Sequence, residues 1–242
     1  MSDIEKRLSK AVQYFWTTRD TQAEAQGAKT GVRDAGFRSA VTGGKQLDGF
    51  TDLLCDLLGE AGVDRPTIYC RKQVELPGWF RATKKWDLLI VTKGTLIASI
   101  ECKSIVGSFG NNLNNRTEEA LGNATDLLAA YREGAFKPSL KPWLGYLLLI
   151  QDTPRSRAPV SVQEPHFKAF PEFRDASYIE RSRILLTKLV REQLYDGACL
   201  LTSETGPGTA RGEYQEPSPE LSFRNFAESL LAKAIAHDRL SG

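Results

Sequence analysis

Histidine is scarce in this chain. Only His166 and His237 occur in 242 residues, far apart in sequence and without neighbouring metal-binding side chains. That argues against a histidine–metal nuclease, a zinc site and a Ser-His hydrolase. Cysteine is sparse as well. Cys55, Cys70, Cys102 and Cys199 are scattered and form no CxxC pair, so they read as reduced thiols of a cytoplasmic protein. No apolar run approaches the ~20 residues of a membrane span. The opening stretch MSDIEKRLSKAVQYFW is charged and amphipathic, with no signal-peptide hydrophobic region. An excess of one charge is lacking too: 32 basic side chains against 30 acidic ones leave a net charge of +2. Bulk positive charge therefore brings no partner, and any surface for nucleic acid must be a local patch.

What is present suffices for a packed core. The chain is 41% hydrophobic and 26% charged, the composition of an ordered protein, and its length suits one domain spanning residues 1–242. Ile4, Leu8, Ala11, Val12 and Phe15 recur at helical spacing and predict a helix over 3–19; the polar, glycine-rich stretch 20–45 reads as a loop. A helix is expected from Gln46, with Leu47, Phe50, Leu54, Leu57, Leu58 and Ala61 as its stripe and Gly62 near its end. TIYCRKQVEL (67–76) reads as a strand closed by Pro77-Gly78. Two further strands lie in WDLLIVTKGTLIASIECKS (86–104). A glycine- and asparagine-rich loop is expected over 107–115, then a helix from Arg116 with Asn115 as N-cap and Glu118 completing a capping box. WLGYLLLIQD (143–152) is continuously apolar, as in a strand covered on both faces. The middle of the chain, roughly 46–152, thus reads helix, three strands, helix, strand. Residues 154–176 read as loop, 177–194 as a helix with a basic face (Arg181, Arg183, Lys188, Arg191), ACLLTS as a short strand, 204–220 as mobile, and 222–239 as a last helix with Phe223, Phe226 and Leu230 on one stripe.

The hairpin in 86–104 carries charge where a core strand should not. By strand alternation Leu96, Ala98, Ile100 and Cys102 share one face, and Ile97, Ser99, Glu101 and Lys103 the other. Glu101 and Lys103 are then ~7 Å apart along the strand. Folding the hairpin about a three-residue loop at 93–95 sets Asp87 opposite Glu101, with Cβ atoms ~5 Å apart. Two carboxylates that close repel unless a cation lies between them. Oxygen ligands of this kind suit Mg²⁺, which takes one or two carboxylates plus water and phosphate oxygens, and Lys103 reaches the same place. A surface hairpin stitched by ion pairs has the same composition, and spacing alone does not separate the two.

Acid, thirteen residues, acid, one residue, lysine is the layout of the PD-(D/E)XK nucleases, and the order helix–three strands–helix–strand resembles their core. Trp86 stands where that pattern usually has proline. Longer blocks resemble the XhoI family of type II restriction endonucleases: FWTTRDTQA (15–23), SAVTGGKQLDGF (39–50), the run from LPGWFRATKKWDLLIV through IECKS (76–104), and VGSFGNNLNNRTEEALGNA (106–124). The resemblance implies an α/β restriction-endonuclease-like core with added N- and C-terminal helices. It implies Mg²⁺ held by Asp87, Glu101 and the backbone carbonyl of Cys102, with Lys103 as the catalytic lysine. It further implies cleavage of double-stranded DNA at the palindrome CTCGAG after the first C, leaving 5′-phosphates, and functional pairing with a cognate DNA methyltransferase. A palindromic target is matched by a two-fold homodimer.

Residues for holding and reading DNA follow from chemistry. Lys84 and Lys85 immediately precede the first acid and suit phosphates beside the cut. In NNLNNRTEE, Asn112, Asn114, Asn115, Arg116 and Glu118 combine the side chains that pair with adenine, guanine and cytosine edges. VTGGKQ (41–46), with Lys45, suits phosphate at a helix start. Asp56 and Glu60 lie opposite their helix's apolar stripe and read as solvated. Two other functions remain open at this level: a repair or recombination nuclease that reads structure, and a non-catalytic DNA-binding module. The presence of all three active-site residues weighs against the second.

Overall fold

The computed structural model describes residues 3–30 and 44–241, with side chains described to 22 and from 44 to 237. Five strands form a mixed sheet in the order β1 (Ile68–Cys70), β4 (Leu88–Thr92), β5 (Thr95–Ile105), β6 (Trp143–Gln151), β7 (Gly197–Ser203). The pairs β1–β4 and β4–β5 are antiparallel; β5–β6 and β6–β7 are parallel. Between β1 and β4 the chain makes a separate two-stranded hairpin, β2 (Glu75–Pro77) and β3 (Thr83–Lys85). The expected strand over 67–76 is therefore broken. Arg71 and Gln73 take positive φ (67° and 56°), and Arg71 is held there by Asp52 at 2.6 Å.

Both sheet faces are covered, which explains why β6 is apolar throughout. One core joins α1 (Asp3–Thr30), α2 (Asp48–Glu60) and α7 (Phe223–Ser241) to the sheet through Phe15, Trp16, Phe50, Leu54, Phe223 and Phe226. The other lies under α3 (Phe109–Arg132) and α5 (Tyr178–Arg191), through Phe109, Leu113, Leu127, Tyr146, Leu186 and Tyr195. Phe223, Phe226 and Leu230 are core residues. Gly62, with φ 92°, follows α2 as expected of a helix-ending glycine. No helix among the described residues is long and apolar enough to cross a membrane.

Four further segments differ from the sequence expectation. Helix α1 continues to Thr30, so 20–30 is helix and not loop: alanine, glutamine and glutamate sustain it without an apolar stripe. Helix α3 begins at Phe109, seven residues before Arg116, because Phe109 and Leu113 are one turn apart and both buried, Phe109 stacking on Tyr178. Asn115 is thus inside the helix and caps nothing. The stretch 204–220 is held in place: α6 (Thr205–Arg211) packs on α1, Ser9 Oγ donating to Arg211 O (2.9 Å) and Gln13 Nε2 to Ala210 O (3.0 Å). Gly212 makes this approach possible, since a Cβ there would lie 1.9 Å from Ser9 O. The 154–176 segment contains a short helix, α4 (Pro154–Arg157), capped by Thr153. The basic residues of α5 staple this segment, Arg181 donating to Val160 O (2.6 Å) and Lys188 pairing with Glu172 (2.7 Å).

Candidate active site

The β4–β5 hairpin has the expected facing acids for an unexpected reason. Lys93 and Gly94 both take positive φ (49° and 77°), which makes a two-residue turn pairing Thr92 with Thr95. That turn alone would set Asp87 out of register with Glu101 by one residue. The register shifts between Ile90 and Val91, with Ile97 as the extra residue of a bulge, so that Leu88 pairs with Ile100. Continuing by one residue sets Asp87 against Glu101, and Asp87 N donates to Ile100 O at 3.1 Å. The bulge also corrects the predicted faces: Leu96 joins the α3-side core, and Ile97 joins the α1–α2 core with Ala98, Ile100 and Cys102.

Glu101 is 3% exposed and lies on the α3 side of β5, beside Tyr146 of β6. Its two oxygens are taken by two ammonium groups: Lys103 Nζ on Oε1 and Lys84 Nζ on Oε2, the latter at 2.7 Å. Asp87 Oδ2 accepts from the Cys102 amide at 2.7 Å. Burial, and then the Glu101 charge, push the Asp87 carboxyl above its ordinary pKa. Burial works against the Lys103 ammonium, but Glu101 and Asp87 more than offset it and its pKa stands above the usual value. Burial and the Asp87 charge likewise push the Cys102 thiol well up, so it is neutral. Trp86 has a structural task that proline could not perform: its amide donates to Val74 O at 2.8 Å, tying β4 to the β2–β3 hairpin.

The predicted DNA-contacting residues divide. Lys84 turns into the site, whereas Lys85 is exposed beside it. Asn114, Asn115 and Glu118 are exposed on the first turns of α3, Asn114 donating to Glu118 at 2.8 Å. Asn112 donates to Gly107 O at 2.9 Å. Arg116 is turned inward onto Glu119 at 2.6 Å. Lys45 is exposed in the turn entering α2, on the opposite side of the sheet, and 41–43 of VTGGKQ fall outside the described residues. Asp56 and Glu60 are surface residues paired with Arg65 and Arg7.

Sequence reasoning missed two features here. Tyr146 is fully buried beside Glu101 with its hydroxyl unpaired among the described residues, and burial raises its pKa. Its signal was a lone phenol in an aliphatic strand. The second is the tip of the β2–β3 hairpin, where Trp79 and Phe80 are 55% and 71% exposed although their backbone is pinned. Asp126 of α3 accepts from the amides of Trp79 and Phe80, both at 2.8 Å, and from Arg81 Nε at 2.6 Å. A groove of about 530 Å³ between α3 and α5, lined by Leu113, Leu121 and Leu185, includes neither Asp87 nor Glu101.

Two carboxylates facing each other across the hairpin suit a hard divalent cation completed by water and phosphate oxygens. Among the described residues no group of three or more histidine, cysteine or acidic side chains is poised as a denser metal site.

The family described as Restriction endonuclease XhoI matches residues 26–216. Type II restriction enzyme BstVI of Geobacillus stearothermophilus is 51% identical over 205 residues, which cover 82% of this chain and 91% of that protein. Type II restriction enzyme XhoI of Xanthomonas vasicola is 37% identical over 193 residues, 78% and 77% of the two chains. Type II restriction enzyme AbrI of Azospirillum brasilense is 42% identical over 170 residues, 69% and 76%. No solved structure gives a significant match. With its mixed sheet, its facing acids and these relatives, the chain belongs to the XhoI restriction endonuclease family.

Proposed function

We propose that this protein is a type II restriction endonuclease with a PD-(D/E)XK core, cutting double-stranded DNA at CTCGAG after the first C and leaving 5′-phosphates. The carrying observation is half-buried Asp87 facing buried Glu101 across the hairpin, with Lys103 on the same face; the relatives' names support the substrate class. Asp87, Glu101 and the Cys102 carbonyl would hold Mg²⁺, which when bound would polarise the scissile phosphate and acidify a water. Lys103 orients the attacking water and balances charge on the phosphate as it builds up. An arginine there would not substitute, because its planar fork cannot occupy an ammonium's place.

The DNA lies across the α3 side of this hairpin. Lys85 meets backbone phosphate. Asn114, Asn115 and Glu118, exposed on α3, face base edges. The pinned Trp79–Phe80 tip supplies aromatic contact with the duplex. The protein acts in the cytoplasm as a two-fold homodimer on its palindrome, beside a methyltransferase that protects the same site.

Incubating a defined plasmid with Mg²⁺ and sequencing the ends tests this directly. Discrete fragments with ends inside CTCGAG are expected; nicks set by DNA structure, or no cleavage, would replace this reading by a repair nuclease or a binding module. A purified mixed dimer of wild-type and Glu101→Gln chains should nick supercoiled plasmid without linearising it. Full double-strand cutting by that dimer would mean that one site serves both strands.

A further inference from the structure

Lys84 belongs to none of the roles assigned to the Asp87–Glu101–Lys103 centre, yet the protein builds it in. It lies on β3 between exposed Thr83 and Lys85, but its own side chain is only 10% exposed. Its ammonium is 2.7 Å from Glu101 Oε2, 2.9 Å from Lys85 O and 4.3 Å from the Trp86 ring centroid. β3 is registered against β2, Leu76 opposite Lys84, and Trp86 is anchored to Val74, so the stem is set by backbone pairing. Burying an ammonium is costly without such partners. Lys103 already neutralises Glu101 through Oε1, so Lys84 is a second cation on one carboxylate.

An oxygen holding an ammonium at 2.7 Å is a poor ligand for Mg²⁺, which needs that lone pair at ~2.1 Å and is repelled by the adjacent positive charge. The four charged side chains, Asp87, Glu101, Lys84 and Lys103, already balance without metal. We propose that Lys84 is a tethered competitor for the metal place on Glu101. It keeps the resting centre's metal affinity low, and yields Oε2 when a DNA phosphate offers its ammonium another partner. Metal and DNA binding are thereby coupled, each favouring the other. This rests on the reading of Glu101 as a metal ligand.

The test is calorimetric titration of the full chain with Mn²⁺ alone, without DNA. Glu101→Gln should lose Mn²⁺ binding; if it does not, the metal reading itself fails. With that established, Lys84→Met should bind Mn²⁺ about tenfold more tightly than wild type, since a unit charge beside the site is removed. Lys84→Gln, equally uncharged, stands in if the methionine variant does not fold. Lys84→Arg keeps the charge and should retain the weak wild-type affinity. Unchanged or weaker binding in the uncharged variants would overturn the proposal, as would equal tightening in Lys84→Arg, which would trace the effect to packing. Repeating the titration with Ca²⁺ and a CTCGAG duplex should show a larger DNA-induced gain in metal affinity for wild type than for Lys84→Met. Equal gains would overturn the coupling.

Discussion

Two acidic sites on the α3 side of the fold are built on opposite principles. Asp126 accepts from the two amides of Trp79 and Phe80 and from the Arg81 guanidinium. Burial raises the pKa of its carboxyl, but Arg81 and the Phe80 and Trp79 amides outweigh burial and hold it below the ordinary value. Asp87 has the Cys102 amide on one oxygen and another carboxylate across the ladder, and its pKa is raised. A carboxylate saturated with donors fixes structure: it locks the hairpin tip onto α3. A half-buried carboxylate facing its own kind has its charged form disfavoured despite the lysines nearby, and is a cost to the fold.

The sharpest way to break this contrast is on activity. Asp87→Asn and Glu101→Gln should each lower cleavage by about 10³-fold or more, the equivalent of several kcal/mol of lost charge stabilisation, with specific DNA binding retained in a gel-shift assay. Asp126→Ala should lower it far less, through a loosened tip. On stability the order reverses. Asp126→Ala should cost about 1–3 kcal/mol in urea unfolding, because three part-buried hydrogen bonds are lost. Asp87→Asn should raise the unfolding midpoint of the metal-free protein, and added Mg²⁺ should stabilise wild type but not that variant.

Removing the tip's aromatics separates surface from anchor. Trp79→Ala with Phe80→Ala should weaken duplex binding by ~1–3 kcal/mol per lost stacking contact while changing stability by no more than ~0.5 kcal/mol per residue. A large stability loss would show that the rings serve the fold. The smallest effect is in pH dependence, and its signs differ. The raised pKa of Asp87 means that its contribution to metal-free stability is present below its unfolded pKa and is lost as pH rises through the folded value. The depressed pKa of Asp126 means that its contribution is present above the unfolded pKa and is lost as pH falls through the folded value. Difference curves of wild type against each variant, measured without metal across the acid range, should therefore slope in opposite directions.

The sequence by itself determined the α/β class, the buried central strand and the α2 stripe, because alternation and helical periodicity are local properties of apolar side chains. It also carried the family blocks, which span the β4–β5 hairpin and the start of α3. What it could not carry was decided by contacts between distant segments. The hairpin's register came out right although a two-residue turn and a bulge at Ile97 replace the expected three-residue loop, and the bulge moved Leu96 and Ile97 to the other faces. Helix α3 starts early because Phe109 finds Tyr178, 69 positions away, and glycine-rich 204–220 is ordered because Gly208 and Gly212 let it lie against Trp16 and Ser9. Lys84 reads in the sequence as a phosphate-facing lysine beside Lys85, and only the folding of β2–β3 turns it inward onto the buried Glu101 carboxylate.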